Sequence, residues 1–179
     1  MASRINTACN FANPCGPTDG SGELDMRLTT FTDYSLRVLI FLGMRSGRRA
    51  AVGEIADAYG ISKNHLLKVI LFLAEQGYVA TARGKGGGVQ LKLDPGRIRI
   101  GEVVRRSEAD SVLVECFAPL ASDCRIQRAC VLRAALQKAL YAFYAVLDTY
   151  TLADLLANPT RLEPLLQMQP KPARAAPRI

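Results

Sequence analysis

No stretch of this chain approaches the roughly 18 uncharged apolar residues that a membrane-spanning helix needs; the best runs are residues 38–44 and 69–74. The first 25 residues hold one arginine and no apolar segment, so no secretory signal is read there and a soluble cytoplasmic protein is the expectation. Histidine occurs once, as His65. No Ser–His–Asp set, metal-hydrolase motif or dinucleotide fingerprint is present, so an enzyme is not expected. Close cysteine pairs are also missing. The five cysteines are Cys9, Cys15, Cys116, Cys124 and Cys130. An odd number in a cytosolic chain argues against a disulfide framework, and the wide spacing is not that of a structural zinc site.

What is present is a packable chain with an uneven charge. Of its 179 residues 49% are hydrophobic and 22% charged, with a net charge of +7. Residues 1–26 carry a net −2, residues 27–99 a net +7 and residues 100–179 a net +2. One contiguous stretch therefore holds the whole positive balance, which points to a polyanionic partner, nucleic acid first.

The patterning divides the chain into five parts. Residues 1–25, rich in Asn, Gly, Pro, Ser and Thr, read as a disordered extension. Residues 26–100 read as a DNA-binding domain. Thr32 is a plausible cap for a helix running to about Met44, and residues 52–59 form a short helix broken by Gly60. Ser62 caps a further helix reaching Glu75, which Gly77 stops. A short helix, a glycine turn and a second capped helix make a helix-turn-helix. The second helix begins polar and turns apolar from Val69 to Leu73. A recognition helix has this asymmetry, because its first turns meet base edges while the rest packs on its own domain. Two strand-like segments, 78–82 and 89–93, flank Arg-Gly-Lys-Gly-Gly-Gly at 83–88. That basic hairpin is a wing, whose cations can enter a minor groove. The expected DNA contacts are Ser62, Lys63, Asn64, His65 and Lys68 in the major groove, with Arg83 and Lys85 in the wing; His65 serves equally well as a half-buried packing residue.

Residues 101–130 read as a connecting helix, 101–107, and an irregular cysteine loop from 115, with a short strand at 98–100 before them. Residues 131–166 read as a long helix, 131–147, and a C-terminal segment. Leu132, Leu136, Leu140, Phe143, Tyr144 and Leu147 recur every three or four residues. So much apolar face exceeds what a small domain covers alone, and pairing with a second copy would cover it and supply two recognition helices. Residues 167–179 read as a disordered tail. The fold expectation is mainly α with a small β-wing: a winged helix-turn-helix plus a long dimerisation helix.

Three cysteines, Cys116, Cys124 and Cys130, fall within fifteen residues. Thiolates at wide spacing suit an iron–sulfur cluster; zinc, a thiol switch and structural thiols remain alternatives. A [4Fe-4S] cluster wants four external ligands and the loop offers three. The fourth could be Cys9, Cys15, His65, a carboxylate or a small molecule, and a hard oxygen ligand would be the easiest to displace.

Met-Arg-Leu-Thr-Thr-Phe-Thr-Asp-Tyr-Ser-Leu-Arg at 26–37, Ile-Ser-Lys-Asn-His-Leu-Leu-Lys at 61–68, Gly-Tyr-Val at 77–79 and the wing at 83–88 resemble the NsrR family of nitric-oxide-sensing repressors. The three cysteines, Leu-Arg-Ala-Ala-Leu at 132–136 and Leu-Asp-Thr-Tyr-Thr-Leu-Ala-Asp-Leu at 147–155 extend the resemblance over roughly 26–166. The related IscR regulators place a histidine just beyond the third cysteine, where this chain has Arg133. The resemblance implies a homodimer on double-stranded operator DNA. It implies one [4Fe-4S] cluster per subunit, held by Cys116, Cys124 and Cys130 with the partner subunit's Asp33 as fourth ligand. Arg37, one turn on, is placed to hold that carboxylate. It further implies that nitric oxide releases the protein from its operator and derepresses nitric oxide detoxification genes. A regulator of the same fold responding to iron–sulfur status or redox state, as IscR does, is the alternative.

Overall fold

The computed structural model describes residues 27–45, 47–84, 86–109, 111–117 and 124–166. The expectations for residues 1–25 with Cys9 and Cys15, for Lys85 and for residues 167–179 lie outside the described residues.

Helix α1 (Thr30–Met44) starts one turn before the sequence expectation. Thr29, not Thr32, is its cap: the Thr29 hydroxyl accepts the Thr32 backbone N–H at 3.2 Å. Thr32 is instead fully buried and donates its hydroxyl to Ser107 Oγ at 2.8 Å. With three threonines in four positions, sequence could not choose between them; the partners of each hydroxyl did. Helix α1 then buries Val38, Leu39, Phe41 and Leu42, each side chain contributing about 1.5–3 kcal/mol of hydrophobic stabilisation.

Helix α2 (Val52–Tyr59) ends at Gly60, whose φ of 64° is left-handed and turns the chain without a Cβ clash. Helix α3 (Lys63–Glu75) is capped by Ser62, whose Oγ accepts the His65 backbone N–H at 3.3 Å. Antiparallel strands β1 (Val79–Ala82) and β2 (Gly88–Leu91) pair from Val79↔Leu91 to Ala82↔Gly88. A third segment joins them: Ala50 and Val89 exchange two backbone hydrogen bonds of 2.8 Å.

The core does not stop at residue 100. Helix α4 (Ile100–Ser107), which the sequence assigns mostly to the connecting segment, buries Ile100, Val103 and Val104 against α1. The short strand expected at 98–100 reduces to one bridge, Arg99 to Thr151, and Ile100 already belongs to the helix. After α5 (Val131–Asp148), the chain returns to this core. The Leu152 N–H donates to the Ile98 carbonyl at 2.8 Å and the Leu152 side chain, in α6 (Leu152–Leu155), is fully buried. A final helix, α7 (Pro159–Leu165), follows. Among the described residues no helix is long and apolar enough to cross a membrane.

Helix α5 is the exception to the packing. None of its residues is buried; Val131, Leu132 and Tyr141 are 82%, 64% and 67% exposed. Only its C-terminal part, with Phe143, Tyr144 and Leu147, packs partly on the core. There Arg105 reaches Asp148 at 2.6 Å and lies over the Tyr144 ring at 5.2 Å. Hydrogen bonds from the Arg105 guanidinium hold the Asp148 carboxylate below the ordinary range, outweighing the desolvation that acts to raise it. Buried Gly101 lets α4 approach this joint, because a Cβ there would meet the Asp148 side chain and stand 2.9 Å from its backbone nitrogen.

Candidate DNA-binding face and cysteine loop

On α3 the buried stripe is Leu66, Val69, Ile70 and Leu73. That leaves Ser62, Lys63, Asn64, His65 and Lys68 exposed over the first turns of the helix. His65 is exposed rather than half-buried, its ring 6.4 Å from that of Tyr34. Two leucines share the exposed side, Leu67 at 53% and Leu71 at 61%. Sequence reading missed them, placing Leu71 among the packing residues, because an apolar run does not say which members lie 100° off the buried stripe. Helix α3 meets α2 closely at its start, where the Lys63 side chain lies against Gly53. Arg83 is exposed at the beginning of the wing loop.

At the start of α1, Asp33 and Arg37 form a two-bond ion pair, Nε to Oδ1 at 3.0 Å and Nη2 to Oδ2 at 2.9 Å. The same guanidinium stands 5.8 Å from the centre of the Tyr59 ring at the end of α2. Burial pushes the Tyr59 phenol up to about 12, with Arg37 opposing and Asp33 adding to the shift. The Asp33–Arg37 ion pair is thus joined to the helix-turn-helix through Tyr59.

Glu108, which the sequence did not single out, secures the same helix start from α4's end. It accepts the Thr29 backbone N–H and hydroxyl, both at 2.8 Å. Its burial acts to raise its pKa, but the hydrogen bonds from Thr32, Thr29 and Ser111 outweigh that and hold it below the usual value.

Cys116, Cys124 and Cys130 are thiols, Cys124 exposed and the others partly buried. Cys130 is the cap residue of α5, its sulfur accepting the Arg133 N–H at 3.4 Å. A helix start favours a negatively charged donor. Arg133 also donates from Nε to the Cys116 carbonyl at 3.3 Å and lies 5.9 Å from the Phe117 ring centre. It thus ties both ends of the cysteine segment to one helix turn. The donor set suits iron–sulfur ligation by its chemistry, soft thiols of which Cys130 lies at a positive helix end. Among the described residues, no three His, Cys, Asp or Glu side chains are gathered as one metal ion requires. The four proposed ligands are thus not brought together within one subunit.

A family model described as Rrf2, iron-dependent transcriptional regulator, matches residues 28–158. The HTH-type transcriptional regulator NsrR of Bacillus subtilis (strain 168) is 52% identical over 145 residues, 80% of this chain and 99% of that protein. The regulator of that name from Geobacillus kaustophilus (strain HTA426) is 46% identical, over 79% of this chain and 97% of its own. Among solved structures, T. potens IscR superposes with a TM-score of 0.59 at 25% identity, over 78% of this chain and 92% of that one. CymR, the global cysteine regulator of B. subtilis, gives a TM-score of 0.55 at 25% identity, over 74% and 97%.

Proposed function

The chain belongs to the Rrf2 family of transcriptional regulators, among its NsrR members, and from that premise we propose that it is a homodimeric repressor whose [4Fe-4S] cluster senses nitric oxide. The observation that supports the sensing reading is the Cys130 thiol at the cap of α5, with the Cys116 carbonyl tied to the same turn by Arg133, in a chain 52% identical over 145 residues to a regulator named NsrR. As a DNA-binding transcriptional regulator it presents Ser62, Lys63, Asn64, His65 and Lys68 to the major groove, with Arg83 at the wing. Leu67 and Leu71 add an apolar strip fit to meet thymine methyl groups.

Cys116, Cys124 and Cys130 would hold the cluster, with the partner subunit's Asp33 as the fourth ligand. When bound, the cluster supplies iron atoms to which nitric oxide can add as a ligand. The chain's own contribution is a choice at Asp33. In the isolated subunit each of its oxygens accepts one hydrogen bond from Arg37. Serving iron in the opposite subunit would draw on the same two oxygens and loosen that grip. Arg37 also faces Tyr59, so the choice is felt at α2, which positions α3. With Asp33 held by Arg37 alone, the dimer would shift away from the recognition-helix spacing that fits the operator. Emptying a nearly full operator takes about 5.5 kcal/mol of differential affinity. Loss of a few base contacts at about 1–3 kcal/mol each supplies it.

The test is an anaerobic nitric oxide titration of the iron- and sulfide-analysed protein, following absorbance and operator binding in the same samples. The expected result is bleaching in step with release from DNA, both abolished in Cys124→Ala. Retained nitric-oxide-sensitive binding in that variant sinks the reading. A cluster whose bleaching leaves DNA binding unchanged transfers the signal to iron–sulfur status or redox state.

A further inference from the structure

Helix-turn-helix and wing leave one strongly basic feature unused: Arg48 and Arg49, between α1 and α2. We propose that they form a second DNA contact beside the wing, a phosphate clamp that holds the backbone flanking the groove entered by Arg83. The proposal rests on the DNA-binding reading and adds a site to it.

The placement comes from the tertiary structure. The two hydrogen bonds between Ala50 and Val89 lay residues 49–51 along the free edge of β2. Ala50 is fully buried, so the alternation of an extended chain turns Arg49 outward. Gly88 allows the close approach: a Cβ there would stand 2.5 Å from the Ala50 carbonyl oxygen and 3.5 Å from Arg49 Cβ. On the other edge of β2, Ala82 pairs with Gly88, and Arg83 is the next residue. The Arg49 segment and the Arg83 segment thus flank one strand, two strand spacings or about 10 Å apart. A minor groove is about 6 Å wide. With Arg83 in the groove, a cation 10 Å away meets the flanking phosphates rather than base edges.

The charge is available. Arg48 and Arg49 are exposed and have no ion-pair partner among the described residues. The acid that opens α2, Glu54, is held by Arg45 at 2.9 Å and does not neutralise them. Arginine suits the task, since its planar guanidinium can grip a phosphate with two hydrogen bonds.

The experiment uses the full chain and two duplexes, one enriched by the wild type from a random pool and one of random sequence, across a salt titration. A phosphate contact contributes about −0.9 to the slope of log affinity against log salt. Arg48→Ala with Arg49→Ala should reduce that slope by about two and weaken binding on the order of tenfold per arginine at about 0.1 M salt. The weakening should be alike on both duplexes, because a phosphate contact carries no sequence information. Arg48→Lys with Arg49→Lys should restore the slope. An unchanged slope in a double alanine variant with wild-type unfolding behaviour overturns the clamp while leaving the DNA-binding reading intact. So does a loss confined to the enriched duplex. Failure of the wild type to enrich any duplex overturns both.

Discussion

Helices α3 and α5 begin alike and end in different environments. Each has a side-chain cap, Ser62 in one and Cys130 in the other, and each carries an apolar stripe at helical spacing. Helix α3 buries its stripe against α1, α2 and β1 and shows a polar, basic first turn. Helix α5 fully buries none of its residues, and Leu132 at its start stands exposed. Amphipathicity alone therefore does not identify a surface. A helix whose apolar side is satisfied offers its polar side to a polar partner. One whose apolar side stays open still needs an apolar partner, and open grooves along α5, lined by Leu140 and Tyr144 among others, mark where a second subunit would pack.

The largest test of this contrast sets Leu66 against Leu132. Leu66 is fully buried, and Leu66→Ala should cost about 2–5 kcal/mol in urea unfolding. Leu132 is 64% exposed in the single subunit, so Leu132→Ala should leave unfolding of the dissociated chain nearly unchanged while weakening association in sedimentation velocity. Equal losses in the unfolding of both variants would show that α5 is packed by its own chain and remove the contrast.

A middle-sized effect should come from the joint between the two regions. Gly101→Ala places a methyl group against Asp148, and overpacking of this kind costs about 1–3 kcal/mol. Thermal unfolding should drop accordingly, and the proposed cluster-dependent DNA release should weaken with it, because α5 joins the DNA-binding half there. A variant as stable as the wild type means that the joint is loose.

The smallest effect is acid dependence at Glu108. Its carboxyl is held below the usual carboxylate range in the folded chain. A depressed folded pKa adds stability that is complete above the unfolded value and disappears as pH falls through the folded one. Glu108→Gln should therefore melt earlier than the wild type near neutral pH, and the two curves should converge once pH has fallen through the depressed folded value. A difference that stays constant down to low pH assigns the effect to packing instead.

Local rules carried much of the architecture. Gly60 between two short apolar patterns, Ser62 before a helix and alternation beyond a glycine-rich loop put α2, α3 and the wing near their observed bounds. The exposed first turn of α3 was legible for the same reason, since capping and amphipathicity act within a few residues. The start of α1 was not legible, because the choice among Thr29, Thr30 and Thr32 depends on Ser107 and Glu108, more than seventy residues away.

By itself, then, the sequence determined the helix-turn-helix, the basic wing, the stretch that holds the charge and the three-thiol loop, all of which depend on neighbours in the chain. Only the tertiary structure decided that Ala50 pairs with Val89 and brings Arg48 and Arg49 to the wing, and that α4 and Leu152 close the DNA-binding core. It also decided that Arg37 joins Asp33 to Tyr59, and that α5 is left open. Those facts depend on which distant groups can pair their hydrogen bonds and exclude water together, a condition that no local pattern encodes.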